Sequence, residues 1–73
     1  MPKLSELPTI RVLAALRRAG WEVGGGAKHY KLIHPTKPGA LAVPWSSPLK
    51  IGTLRAIIKQ AGLTVDEFHK LYR

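Results

Sequence analysis

The sequence predicts a small α+β domain: a helix, a three-stranded antiparallel sheet and a second helix, closed by a short C-terminal helical turn. Three observations predict it. Apolar residues recur at helical spacing in two segments, they alternate with polar residues in the stretch between, and glycine and proline punctuate each change of period. With 73 residues the chain has room for one domain, spanning 1–73 with its core from about 8 to 68. A protein of this size buries only about 60% of the surface its unfolded chain exposes. A deep substrate cavity is not expected.

From Pro8 to Ala19 the apolar residues Val12, Leu13 and Leu16 follow helical spacing, while Arg11, Arg17 and Arg18 take the other side. Pro8 fits the first turn, Ser5 or Glu6 is placed to cap ahead of it, and Gly20 is placed to close the helix. Trp21, Glu22 and Val23 then alternate, three glycines intervene, and Tyr30 and Leu32 alternate with His29 and Lys31, which reads as a loosely connected hairpin. Pro35-Thr36-Lys37-Pro38-Gly39 makes the next turn, and Leu41 and Val43 share one face of a third strand. After a loop from Pro44 to Pro48, Leu54, Ile57, Ile58 and Ala61 form the buried stripe of the second helix, with Arg55 and Lys59 outside it. Gly62 ends that helix. Thr64 and Glu67 have capping-box spacing for a last short turn, from which Phe68, Leu71 and Tyr72 pack back on the core.

Two helices can satisfy every apolar face only by covering the same side of the sheet. The other side then stays open. If Tyr30, Leu32, Leu41 and Val43 face the helices, alternation sends His29 and Lys31 to the open face.

Twelve basic residues against four acidic ones give a formal charge of +8, distributed along the whole chain. Such a surface attracts polyanions: nucleic acid first, an anionic membrane second, with an acidic protein compatible with either. The absence of cysteine excludes a disulfide framework and cysteine-ligated zinc. No apolar run approaches the roughly 18 residues of a membrane span, and the first residues lack the apolar stretch of a signal peptide. A cytoplasmic protein without membrane contact is expected.

The sharpest chemical candidate is His29, which follows the glycine hinge Gly24-Gly25-Gly26 and stands between Lys28 and Lys31. Histidine can take and give a proton near neutrality, and flanking ammonium groups can hold a phosphate, as metal-free cleavage of RNA requires. The plain alternative is an exposed histidine on a basic strand. His34 lies five residues on, so in a continuous strand it faces away from His29 and cannot share a metal with it; with Pro35 it reads as a strand end. His69 is expected on the surface. Scattered histidines and no clustered carboxylates give a metal site no support, and no cofactor is expected. The glycine run lacks the Gly-Lys-Ser/Thr ending of a phosphate loop and precedes a strand, so nucleotide hydrolysis is rejected. Trp21 reads as core, whereas Trp45, in a loop, is placed to stack on a base. Ser46 and Ser47 have no histidine and acid that sequence can place beside them.

Lys28-His29-Tyr30-Lys31, His34-Pro35, Val43-Pro44 and the run Pro48-Leu49-Lys50-Ile51-Gly52-Thr53-Leu54-Arg55 through Gln60-Ala61-Gly62-Leu63 resemble the HicA family of mRNA interferase toxins, over about Pro8 to Phe68. The Gly52-Thr53-Leu54-Arg55 opening of the second helix and its Gln60-Ala61-Gly62-Leu63 ending carry most of that resemblance. It implies a fold like the double-stranded RNA-binding domain and metal-independent cleavage of mRNA by a single histidine, which falls on His29. It also implies neutralisation by a HicB-like antitoxin protein. Ala27-Lys28 stands where the family has Gly-Ser, and Tyr30 where a second histidine is common. Lys28, Lys31, Trp45, Lys50 and Arg55 are the candidate RNA contacts. The competing expectations are a non-catalytic RNA-binding module of the same fold, and an interaction protein whose basic face docks an acidic partner.

Overall fold

In the computed structural model, which describes residues 5–72, the first apolar stripe forms α1 (Thr9–Arg18), with Val12, Leu13, Ala15 and Leu16 buried. Its start differs from the expectation. Pro8 occupies the capping position rather than the first turn, and neither Ser5 nor Glu6 caps the helix. The acceptor comes instead from a loop 38 residues away: the Thr9 N–H donates to Ser47 Oγ at 3.2 Å, and the Thr9 hydroxyl donates to the Ser46 carbonyl. The Leu49 N–H donates to the Leu7 carbonyl at 2.8 Å, making a lone antiparallel bridge beside this junction. Tertiary structure thus satisfies a free helical N–H that local sequence leaves open.

The sheet consists of β1 (Glu22–Gly24), β2 (His29–Ile33) and β3 (Ala40–Pro44), antiparallel and in that order across the sheet. Leu32, Leu41 and Val43 are buried, and Val23 and Tyr30 are half-buried on the same side; His29, Lys31, Ile33, Ala40 and Ala42 are exposed on the other. The expected alternation holds at every position of β2. Pro44 fits a strand because of where it falls. The Trp45 N–H donates to the Lys28 carbonyl at 3.3 Å, so the neighbouring pair His29 and Pro44 occupies a position without ladder hydrogen bonds, on an edge strand.

The second helix, α2 (Ile51–Gln60), buries Leu54, Ile57 and Ile58 and packs on β3. The short terminal turn is longer than expected: α3 (Val65–Tyr72) has 8 residues. Its capping box is reciprocal, with the Thr64 N–H donating to Glu67 Oε1 at 2.9 Å and the Glu67 N–H to Thr64 Oγ1 at 3.1 Å. The bond from the Thr64 N–H, helped by the Thr64 hydroxyl, holds the Glu67 carboxyl below its ordinary value of 4.5. Phe68 is fully buried and Leu71 and Tyr72 lie against the same core. A well-capped start and a buried aromatic carry the helix beyond one turn. His69, expected on the surface, is half-buried with its ring 6.2 Å from that of Phe68.

Each helix C-terminus is closed by a side chain from another element. His34 Nε2 reaches the Ala19 carbonyl after α1 at 3.2 Å, the Lys37 ammonium donates to the Ala61 carbonyl after α2 at 2.7 Å, and the Arg18 guanidinium donates to Leu71 O in α3 at 2.6 Å. The charges of Lys37 and Arg18 are favourable at the negative dipole ends of α2 and α3. Arg11 also stacks over the Tyr72 ring, 4.9 Å from its centroid. Part of the basic surface therefore holds the fold together.

Candidate functional site

His29 is the first residue of β2 and its imidazole is exposed on the open face. The loop leading to it is fixed by a close approach: a Cβ on Gly26 would lie 2.5 Å from the His29 carbonyl oxygen, so no side chain fits there while the loop keeps its path. On the open face the β2 side chains His29, Lys31 and Ile33 stand opposite Pro44, Ala42 and Ala40 of β3. On the β1 side, Lys31 faces Gly24 and Ile33 faces Glu22. Small neighbours leave His29 and Lys31 standing above a low surface. They are two residues apart on one strand face, about 7 Å along the strand.

The candidate RNA contacts separate into groups. Lys31 shares the open face with His29. Lys28 lies in the bend before β2, where its carbonyl accepts from Trp45, and both side chains are exposed. The Trp45 ring turns toward the helix side of the sheet, 6.2 Å from the ring of Tyr30. Lys50 precedes the first turn of α2 at the same end of the sheet, without a capping bond from its side chain, while Arg55 is exposed on α2 in the helical layer. The structure therefore brings His29 and Lys31 together, sets Lys28, Trp45 and Lys50 around one end of the sheet, and leaves Arg55 behind it.

The remaining histidines stand apart from His29. His34 lies on the helix side, packed edge-on against Trp21 at 5.2 Å, and Thr36 N–H donates to its Nδ1 at 3.2 Å. The Ala19 carbonyl can only accept, so His34 carries its hydrogen on Nε2. His34 belongs to the α1 closure, as the strand-end reading expected. Among the described residues no three His, Cys, Asp or Glu side chains gather in a metal-binding arrangement, and no helix is long and apolar enough to cross a membrane. One feature escaped sequence reasoning: Glu22, taken only as a polar position of an alternating strand, borders a shallow hollow with Val23, Gly24, Gly25, Lys31 and Ile33. The signal available was its isolation, since no other acidic residue lies between Glu6 and Asp66.

A search of curated protein sequences gives no match. A family model described as the HicA toxin of bacterial toxin-antitoxin systems matches residues 11–63, from the first turn of α1 through the whole sheet and α2 to the turn that follows it. That span contains the open face and the end of the sheet where the candidate contacts gather. The chain belongs to the HicA family, the toxin component of bacterial toxin–antitoxin systems.

Proposed function

We propose that this toxin is a metal-independent endoribonuclease acting on mRNA, with His29 as its general acid–base group. The reading is carried by one observation: an imidazole and an ammonium, His29 and Lys31, stand side by side, both exposed, on the sheet face away from the helices. An extended RNA strand can lie there without a deep cleft. An unprotonated ring nitrogen of His29 takes the proton of a ribose 2′-OH, the 2′-oxygen attacks the adjacent phosphorus, and the bond to the 5′-oxygen breaks. Water or a lysine ammonium gives that oxygen its proton as it leaves, because one imidazole cannot act as base and acid in the same instant. The products are a 2′,3′-cyclic phosphate and a 5′-hydroxyl. Lys31 offsets charge on the phosphoryl oxygens, and Lys28, Trp45 and Lys50 extend the contact around the end of the sheet. A HicB-type antitoxin would silence the toxin by covering His29 and setting acidic groups against these lysines.

The test is incubation of wild-type and His29→Ala protein with a long unstructured RNA in the presence of chelator, followed by end-group analysis. Wild-type cleavage to cyclic phosphate ends is expected, with the variant slower by about a hundredfold to ten-thousandfold, the usual range for a general acid–base group. Cleavage retained by the variant refutes the role of His29. One feature favours the alternative, an RNA-binding module that does not cut: within the described residues the His29 imidazole has no hydrogen-bond partner to fix its tautomer. That alternative takes over if both proteins bind RNA and neither cuts it.

A further inference from the structure

The hollow lined by Glu22, Val23, Gly24, Gly25, Lys31 and Ile33 has a volume of about 390 Å³, toward the small end of ligand sites. We infer that it is a nucleobase subsite selective for guanine, with Glu22 as its specificity-determining residue. The inference rests on the reading that RNA lies across the open face.

Three observations meet here. The hollow exists because Gly24 and Gly25 place no side chain on the sheet surface; a Cβ at Gly25 would meet nothing within 4 Å. Its wall is Ile33, an aliphatic side chain 52% exposed, which has no role in the core and offers an apolar surface to the flat face of a base. Its rim carries Glu22, opposite Ile33 in the strand register. Lys31 lies between this rim and His29. At about 3.4 Å per residue, the hollow spans roughly 7 to 14 Å along β2 from His29, within reach of a nucleotide next to the scissile phosphate or one beyond it.

Glu22 is informative because it is out of place. A carboxylate repels the phosphates that the rest of this chain attracts, and Glu22 has no ion-pair or hydrogen-bond partner within the described residues. Its two oxygens can accept two parallel N–H donors. Among the four RNA bases, guanine alone presents two adjacent donors on one edge, N1–H and the N2 amino group. Adenine and cytosine pair one amino group with a ring acceptor that faces the second carboxylate oxygen, and uracil flanks its single donor with carbonyls. Unpaired RNA exposes these edges to a protein surface.

The experiment uses His29→Ala protein, so that RNA is bound and not consumed. Binding is read by fluorescence anisotropy with a labelled short oligouridylate and with the same oligomer carrying one guanine, adenine or cytosine. Guanine is expected to tighten binding by at least about fivefold, the lower end for a bidentate base contact. Adding Glu22→Gln should abolish that preference while tightening binding to oligouridylate, because a negative charge has been removed. Adding Gly25→Val should fill the hollow and weaken the guanine preference with Glu22 intact. A guanine preference that survives Glu22→Gln overturns the inference, as does binding without base preference in the His29→Ala parent. Equal strengthening toward every oligomer in Glu22→Gln also overturns it, since Glu22 would then act only by repulsion. If no oligomer binds at all, the inference falls together with the reading of this face as an RNA surface.

Discussion

Replacing Phe68 with alanine tests whether α3, which lies beyond the family match, is part of the folded unit. The Phe68 side chain is fully buried against the core shared by α1, α2 and the sheet. Removing a buried aromatic ring costs about 3–5 kcal/mol, combining lost transfer free energy with the cavity left behind. A domain of 73 residues is expected to have about 4–11 kcal/mol of total stability. The substitution therefore removes about a quarter or more of it. For a domain of this size each kcal/mol shifts the melting temperature by about 4–8 °C, so a fall of at least about 12 °C is expected. Urea unfolding and thermal melts followed by far-ultraviolet circular dichroism measure it. Lys70→Ala, exposed on the same helix, serves as the control and should stay within about 0.5 kcal/mol of wild type. A loss below about 1 kcal/mol in Phe68→Ala would refute the placement of α3 in the core.

Three further outcomes are expected. Lys31→Ala should weaken RNA binding and reduce the magnitude of its log–log salt slope by about 0.7, the counterion equivalent of one phosphate on a single strand; Arg55→Ala, in the helical layer, should leave the slope unchanged, and anisotropy titrations at several salt concentrations decide. Ser47→Ala removes the hydroxyl that accepts from the Thr9 N–H and should cost about 1 kcal/mol in urea unfolding, the usual value of a helix cap. The Glu67 carboxyl titrates below its ordinary value of 4.5 in the folded protein. Its contribution is thus present above the unfolded value and lost as pH falls through the lowered folded value. Wild type should exceed Glu67→Gln in melting temperature near neutrality, with the gap closing as pH falls from 4.5 through the lowered folded value; a gap independent of pH would refute the assignment.

The elements most legible in the sequence were those whose determinants are local. The alternation of His29 through Ile33 needed only the period of a strand, and the two hydrogen bonds between Thr64 and Glu67 needed only their spacing. The turns at Gly20, Gly39 and Gly62, all with positive φ, were likewise marked by residue type. What escaped were partnerships made across the fold. Ser47 caps α1 and Arg18 closes α3 through contacts separated by 38 and 53 residues, which no local pattern encodes. The site was legible to the same degree. Strand parity put His29 and Lys31 on one face, but the hollow beside Glu22 depends on the register between β1 and β2, and register is not written in the composition of either strand.

The capping of α1 by the loop after β3 also joins two segments that a chain made from its N-terminus produces at different times. A chain made from its N-terminus produces α1 well before Ser46 and Ser47 exist, and the helix then has its first free N–H open to water. Phe68, which completes the core, is made later still. His29 is likewise made before Trp45, whose N–H donates to the Lys28 carbonyl beside it. A fragment that stops before Ser46 lacks both acceptors for Thr9, and one that stops before Phe68 lacks a fully buried side chain of the core.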